Sequence, residues 1–261
     1  MIQRRSLGLL ATAFLARPAL AAEPSLDTLL ARYARLPADG VTRVDYARWK
    51  ASAADIAGLD TWITEAAARR PSAMPRNEAF AFWANLYNAL TLKVVLERYP
   101  VRSIKDIRST GVGLDPRQFG GPWRTRLVTI EGQRMSLDDI EHGTMRPTFR
   151  DPRVHYSVNC ASNGCPNLPL RAWRAASLEA DLDAAARAFI NHPRAALVLA
   201  SGGLRTSSIY KWFREDFGGD EAGVIAHLLR YAAPALAASL QNIARVTDDA
   251  YDWALNDTSA P

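Results

Sequence analysis

The stretch Glu78-Ala79-Phe80-Ala81-Phe82-Trp83-Ala84-Asn85-Leu86-Tyr87-Asn88-Ala89-Leu90-Thr91-Leu92-Lys93-Val94-Val95-Leu96-Glu97-Arg98-Tyr99 is apolar on nearly every face of a helix. A surface helix carries one apolar stripe; a helix apolar all round belongs inside a protein. With Asn77 as its N-terminal cap and Pro100 as its stop, the stretch reads as a central buried helix over about 77–99. Asn85 and Asn88 lie one turn apart on it. Buried amides need partners, so each is expected to hold backbone groups or each other, or to bind substrate in a cleft.

Upstream, Leu26, Leu29, Leu30, Tyr33 and Leu36 recur at helical spacing behind the cap Ser25-Leu26-Asp27. Residues 38–45 read as a turn, and a second helix spans 54–70 before Pro71 and Pro75 break the chain. Residues 22–76 are therefore expected to form an N-terminal helical extension. Ahead of them Arg4-Arg5 precede an 11-residue apolar run from Ser6 to Ala16, and Ala19-Leu20-Ala21 is a small-residue cleavage pattern. Residues 1–21 read as a signal peptide, since that run is well short of the roughly 20 residues of a spanning helix. The paired arginines also fit a twin-arginine signal. The expectation is a periplasmic or secreted protein with no stable membrane insertion, no second apolar segment being read as long enough to span.

Downstream, residues 101–123, with Gly111, Gly113, Gly120 and Gly121, read as a loop over a site. Residues 125–130 and 133–135 form a hairpin around Glu131-Gly132. Ser136-Leu137-Asp138-Asp139 opens a helix as a capping box, with Glu141 and His142 inside it and Pro147 beyond its end. Asp151–Val158 alternates toward a strand, and a periodic helix runs from Ser177 to Ile190. A second hairpin (197–200 with 204–207), three short helices and a tail ending in Tyr251-Asp252-Trp253 complete the sequence. The fold class is α+β, with helices packed around a small, mainly antiparallel sheet.

Both cysteines fall in one segment, Cys160 and Cys165, with His155 five residues ahead. An imidazole can take a thiol's proton and leave the nucleophilic thiolate. The catalytic candidates are thus Cys165, Cys160, His142, His155 and Glu141. On a regular strand His155 and Cys160 point to opposite faces, so Cys165 with His142, supported by Glu141 or Asp139, is the preferred pair. Asn159 and Asp252 join Asn85 and Asn88 as substrate-binding candidates. Trp123, Trp173 and Trp212 are either a ligand platform or core.

Three other readings stay open. In an oxidising compartment Cys160 and Cys165 can form a disulfide. Zinc is disfavoured by the lack of short paired ligand spacings. A non-catalytic peptide- or glycan-binding module accounts for the same motifs. His192 and His227 read as structural. Removing residues 1–21 takes Arg4, Arg5 and Arg17 and no acid, leaving 29 basic against 27 acidic residues. That near-balance argues against a nucleic-acid-binding surface, and none is expected. No phosphate loop, nucleotide fingerprint or serine elbow is present. No cofactor or metal is called for, and the expected partner is a small peptide, glycan or acyl substrate of the cell envelope.

Four blocks occur in a recognisable order: Phe82 to Ala89, Ser136 to His142, Asp151-Pro152-Arg153-Val154-His155 through Cys160-x4-Cys165-Pro166, and Tyr251 to Asn256. Over about 77–256 the chain resembles the family catalogued as domain of unknown function 547, which is known in exported bacterial proteins and in plant proteins with an added coiled coil. The resemblance implies that the family's shared Glu-His pair, later His and two Cys are Glu141, His142, His155, Cys160 and Cys165. A weaker similarity is to papain-like and transglutaminase-like thiol enzymes, which pack a buried helix on a small antiparallel sheet. In those the nucleophile begins the central helix, and 77–99 has no cysteine. The function expected is a thiol-dependent hydrolase or transferase acting at an amide, ester or thioester.

Overall fold

A computed structural model describes residues 24–107 and 121–259. The signal peptide read over 1–21, and Gly111, Gly113 and Gly120 of the expected loop, lie outside the described residues.

In chain order the elements are Leu26–Tyr33 (α1), Ala34–Arg35 (β1), Arg43–Val44 (β2), Tyr46–Lys50 (α2), Ala53–Ala67 (α3), Arg76–Arg98 (α4), Val128–Ile130 (β3), Gln133–Met135 (β4) and Leu137–Ile140 (α5). After a π turn over Glu141–Met145 come Arg146–Phe149 (α6), Val154–Ser157 (α7), Leu178–Ile190 (α8), Ala196–Val198 (β5) and Leu204–Ser207 (β6). Ser208–Trp212 (α9), Glu221–Tyr231 (α10), Pro234–Leu240 (α11) and Val246–Ala250 (β7) complete the chain. The fold is mixed α+β about a central buried helix. Its sheet is divided into the antiparallel pairs β1-β2 and β3-β4 and a three-stranded β5-β6-β7, in which β6 and β7 run parallel.

Helix α4 is the helix expected over 77–99, and every residue from Ala79 to Leu92 is buried. Its N-cap position is held by Pro75, not Asn77, and Ala79 N–H donates to Pro75 O at 2.9 Å. A proline presets the backbone there and has no N–H to satisfy. At the other end Tyr99 is extended, as a residue before proline must be. By length and composition α4 is also apolar enough to cross a membrane, which corrects the expectation that no segment after the leader reaches spanning length. Instead, 89% of that apolar window is buried within the protein.

Helices α2, α3 and α5 pack on α4. One core runs from Leu26 of α1 through α4 to Leu182 of α8 and takes in Leu255 of the tail, so the N-terminal helices share a core with the downstream elements. A second core gathers Tyr156, Phe189, Ile209, Phe217 and Leu228 around α8, α9 and α10.

The expected strand over Asp151–Val158 is a helical turn. Asp151 Oδ1 accepts from Arg153 N–H at 2.9 Å, and Val154, His155 and Tyr156 N–H bond back to Asp151, Pro152 and Arg153 carbonyls. Arg153 then ties the turn to Asp183 and Glu179 of α8. All of Val154–Ser157 is buried, so the turn showed no helical stripe in its sequence. The tail links distant parts: Asn163 and Gly164 N–H donate to Ala254 O and Asp252 O, Leu255 N–H to Arg102 O, and Val44 N–H to Asn256 O.

Candidate functional site

A cleft of about 200 Å³ opens between the end of α5, the cysteine segment, α9 and the tail. It gathers Glu141, His142, His155, Cys160 and Cys165, all five catalytic candidates, from three separate pieces of chain. The capping box forms as its sequence predicts: Ser136 Oγ accepts from Asp139 N–H at 3.2 Å while Asp139 Oδ2 accepts from Ser136 N–H at 2.7 Å. The helix then widens into the π turn, a distortion frequent at functional sites, just where Glu141 and His142 stand. Pro147, expected past the helix end, instead lies within the continuous helical run, in the segment that follows the π turn.

Glu141 and His155 form a buried ionic pair. His155 Nδ1 lies 3.4 Å from Glu141 Oε1, and Nε2 lies 2.6 Å from Asp216 Oδ2. Asp216 is held in turn by Arg146 Nε at 2.6 Å. Burial works against a charge on His155, but the hydrogen bonds its ring donates to Asp216 and Glu141 outweigh it and raise its pKa. Burial likewise pushes Glu141 and Asp216 up; the bond and charge of His155 win and leave both carboxyls lowered. An imidazole facing an acceptor at each nitrogen is stable as imidazolium. The ring is stacked on Phe213 at 4.4 Å and is 2% exposed, so His155 is locked rather than free to exchange protons with a ligand.

His142 is the reachable imidazole, its side chain 35% exposed. Its Nδ1 is 3.9 Å from Glu141 Oε1 and its Nε2 4.0 Å from Asp138 Oδ1, and its ring leans on Phe213. Among the described residues Nδ1 has no hydrogen-bond partner although the atom is buried.

The sulfurs of Cys160 and Cys165 are joined as a disulfide, with Cα atoms 6.3 Å apart. Cys160 N–H and the Tyr251 hydroxyl each donate to Cys165 Sγ at 3.0 Å. The Tyr251 oxygen is also 3.0 Å from Cys160 Sγ and 2.9 Å from Ser162 Oγ. The polar contacts of the sulfurs are thus with Cys160 N–H, Ser162 and Tyr251; His155 is tied to carboxylates, His142 Nδ1 is unpaired, and the expected Cys165–His142 hydrogen bond is not formed.

The four proposed substrate-binding residues face the backbone instead of the cleft. Asn85 accepts from Trp173 N–H at 2.8 Å and donates to Trp173 O at 2.9 Å. Asn88 donates to Ser157 O at 2.9 Å and accepts from Asn159 N–H at 2.8 Å. Asn159 bonds Pro166 O and Ala161 N–H, holding Ala161 in the left-handed region at φ 58°. Asp252 is exposed and accepts from Ala254 N–H at 2.8 Å and from the Asn163 side-chain amide at 3.3 Å.

Aromatic rings supply the remaining wall. Trp212 and Trp253 stack at 5.7 Å, Tyr251 lies 4.6 Å from Trp253, and Trp123 meets Trp253 edge-on at 5.8 Å. Trp123 and Trp212, two of the three tryptophans proposed as a platform, line the cleft; Trp173 is buried against Asn85 and Ser157. Tyr87, Phe213, Tyr251 and Trp253, also in the lining, were missed, as was Asp216 behind it. The extended tail carried a signal for two of these, since strict alternation puts Tyr251 and Trp253 on the face opposite Asp252. Asp216 had no such signal. His192 bonds Asp39 O, and His227 bonds the Tyr156 hydroxyl at 2.7 Å, burial lowering its pKa to about 4. Among the described residues no group of three or more His, Cys, Asp or Glu side chains converges to hold a metal ion.

Residues 71–190 match the family model described as protein of unknown function, DUF547, and the match supports membership of that family. Glu141, His142, His155, Cys160 and Cys165 fall inside the matched span; the tail with Tyr251 and Trp253 falls outside it. No curated protein and no solved structure matches the chain.

Proposed function

We propose that the cleft is a thiol site for hydrolysis or transfer at an amide, ester or thioester, captured in its disulfide form, in a protein exported to the periplasm or beyond. What carries this reading is the convergence of Glu141, His142 and both cysteines on one aromatic-walled cleft. Once the disulfide is open, the Cys165 thiolate attacks the acyl carbon, helped by donors already placed on its sulfur. His142, near Glu141 and half-exposed, protonates the leaving group. The apolar rings take the acyl or leaving-group side chain, in keeping with a small peptide, glycan or acyl substrate of the envelope. The chemistry asks for no cofactor.

The test uses p-nitrophenyl acetate on the native chain before and after reduction. The reading expects one acetyl group on Cys165, in the reduced protein only, with turnover lost in His142→Ala and Cys165→Ser. Equal ester cleavage by oxidised and reduced protein would refute it. A second reading is favoured by the closed disulfide and the absence of a histidine–sulfur hydrogen bond: a non-catalytic peptide- or glycan-binding module whose cleft wall includes the disulfide. It expects binding to survive Cys160→Ser and Cys165→Ser and to fail in Trp212→Ala.

A further inference from the structure

The two sulfurs differ in ways that fix a direction of reaction. Cys160 is half-buried and borders the cleft, whereas Cys165 is 5% exposed. An incoming thiolate can reach the first sulfur more readily than the second. Cys165 Sγ, in contrast, accepts a backbone hydrogen bond from Cys160 N–H at 3.0 Å, and the Tyr251 hydroxyl, 3.0 Å from both sulfurs, is placed to donate to the one released as thiolate. Ser162 Oγ is 2.9 Å from the Tyr251 oxygen, so a Ser162 O–H donating to Tyr251 leaves the tyrosine proton for the sulfur. Donors aimed at a sulfur lower its thiol pKa and make it the better leaving group in exchange.

The loop holds its shape by bonds that do not involve sulfur. Asn163 and Gly164 N–H donate to the tail carbonyls of Ala254 and Asp252 at 2.9 Å, Asn256 N–H donates to Ala161 O at 3.2 Å, and Asn159 braces Ala161 and Pro166. Opening the S–S bond leaves all of these in place. The two sulfurs therefore stay in register for closing again, and the released thiolate stays in the cleft.

We infer that Cys160–Cys165 is a reversible redox site: a thiol or dithiol reductant attacks Cys160, and Cys165 leaves as a hydrogen-bonded thiolate. The reductant's thiolate bonds to Cys160 Sγ as the Sγ–Sγ bond breaks, and the electron pair goes to Cys165. A second reductant thiolate then takes the mixed disulfide. The reductant ends as its own disulfide, oxidised by two electrons, and Cys160 is released as a thiolate that takes a proton from solvent. Tyr251 is the positioning residue, acting through the Cys165 sulfur. The inference rests on the thiol reading in one respect only, that opening the bond is what frees Cys165 for acyl chemistry.

The experiment treats the native full chain with reduced glutathione, quenches with acid and maps the adducts by mass spectrometry. The expected result is glutathione on Cys160 in roughly tenfold excess over Cys165. Adducts mainly on Cys165, adducts spread evenly, or no exchange until the chain is unfolded would each overturn the inference. Two variants read the leaving group directly. In Cys160→Ser the remaining Cys165 should be alkylated by iodoacetamide with a midpoint well below the ordinary thiol value of about 8.5. Adding Tyr251→Phe, which keeps the ring, should slow that alkylation about threefold to tenfold at neutral pH and move the midpoint upward. An unmoved profile would overturn the role of Tyr251, and a merely structural tyrosine would shift the melting temperature without shifting the profile. No acyl substrate is used, so the outcomes separate. Exchange at Cys160 without ester turnover refutes only the acyl reading; turnover by a reduced protein whose disulfide resists glutathione refutes only this one.

Discussion

Replacing Asn88 by alanine distinguishes a brace from a ligand contact. The side chain is 3% exposed and bridges Ser157 O and Asn159 N–H, the two backbone groups just before the cysteine loop. The two ends are not equal. Ser157 O also accepts from Trp173 Nε1 at 3.0 Å and keeps that partner in the variant. Asn159 N–H is left with none in a region closed to water. A buried orphan donor costs about 1–3 kcal/mol, and the lost bond to Ser157 O adds about 1 kcal/mol, so a loss of about 2–4 kcal/mol is expected. For a chain of this size that lowers the melting temperature by roughly 5–12 °C. Urea unfolding followed by tryptophan fluorescence should show a lower midpoint at unchanged slope. A loss below about 1 kcal/mol would refute the bracing role. So would unchanged stability with lost ligand affinity, because Asn88 would then face the ligand.

The buried ionic pair sets a pH dependence with two limbs. His155 is raised above its ordinary 6.5, so its contribution is complete below that value and fades as pH rises through the raised one; Glu141 and Asp216 are lowered, so theirs are complete above about 4.5 and fade as pH falls. In a His227→Gln background, which removes the opposing loss below 6.5 of a histidine lowered to about 4, melting temperature against pH should therefore peak between those values, and a profile rising steadily through neutrality would contradict the pair. Asp216→Asn should lower the His155 imidazole pKa, read by NMR, and cost about 2 kcal/mol; an unshifted resonance would show that Asp216 does not hold the ring. Gly164→Ala would put a Cβ 2.8 Å from the backbone of Asp252 and 3.0 Å from the Tyr251 ring, so the tail must move. A loss of about 1–3 kcal/mol with faster amide exchange at Gly164 and Ala254 is expected, and native stability would refute the close approach.

How much could be read in advance depends on how local each signal is. Helix α4 was legible because an all-round apolar run has one solution in water, and the capping box because its reciprocal bonds lie within four residues. The hairpin around Glu131-Gly132 was legible for the same reason. Asp151–Val158 was not: in a turn buried on all sides, Val154, Tyr156 and Val158 alternate by coincidence, and the interactions that choose a helix come from Asp151 and from α8. Asp216 and Phe213, which respectively bind and cover His155, lie about 60 residues away in sequence. Only the folded chain brings them to the ring.

The tail shows why the histidines and cysteines could be identified without their roles being assigned. Five reactive residues were visible as residue types, but what each can do depends on its second contact. His155 has a carboxylate at both nitrogens and a ring across its face, which favours its protonated form and leaves neither nitrogen free to serve a ligand as a base. His142 has one buried nitrogen unsatisfied and an edge in the cleft, which leaves it available. Cys160 and Cys165 are distinguished by burial and by the Cys160 N–H that donates to Cys165 Sγ, while the Tyr251 hydroxyl reaches both sulfurs because Gly164 lets Asp252 approach and the extended tail alternates about that point. The same backbone pairing that aims Tyr251 also holds the loop, so the oxidation state of the sulfurs can change without the cleft being rebuilt. A disulfide needed for folding would be expected where the backbone lacks such ties. Here the ties are present, and the bond lies in the wall of the cleft that contains His142.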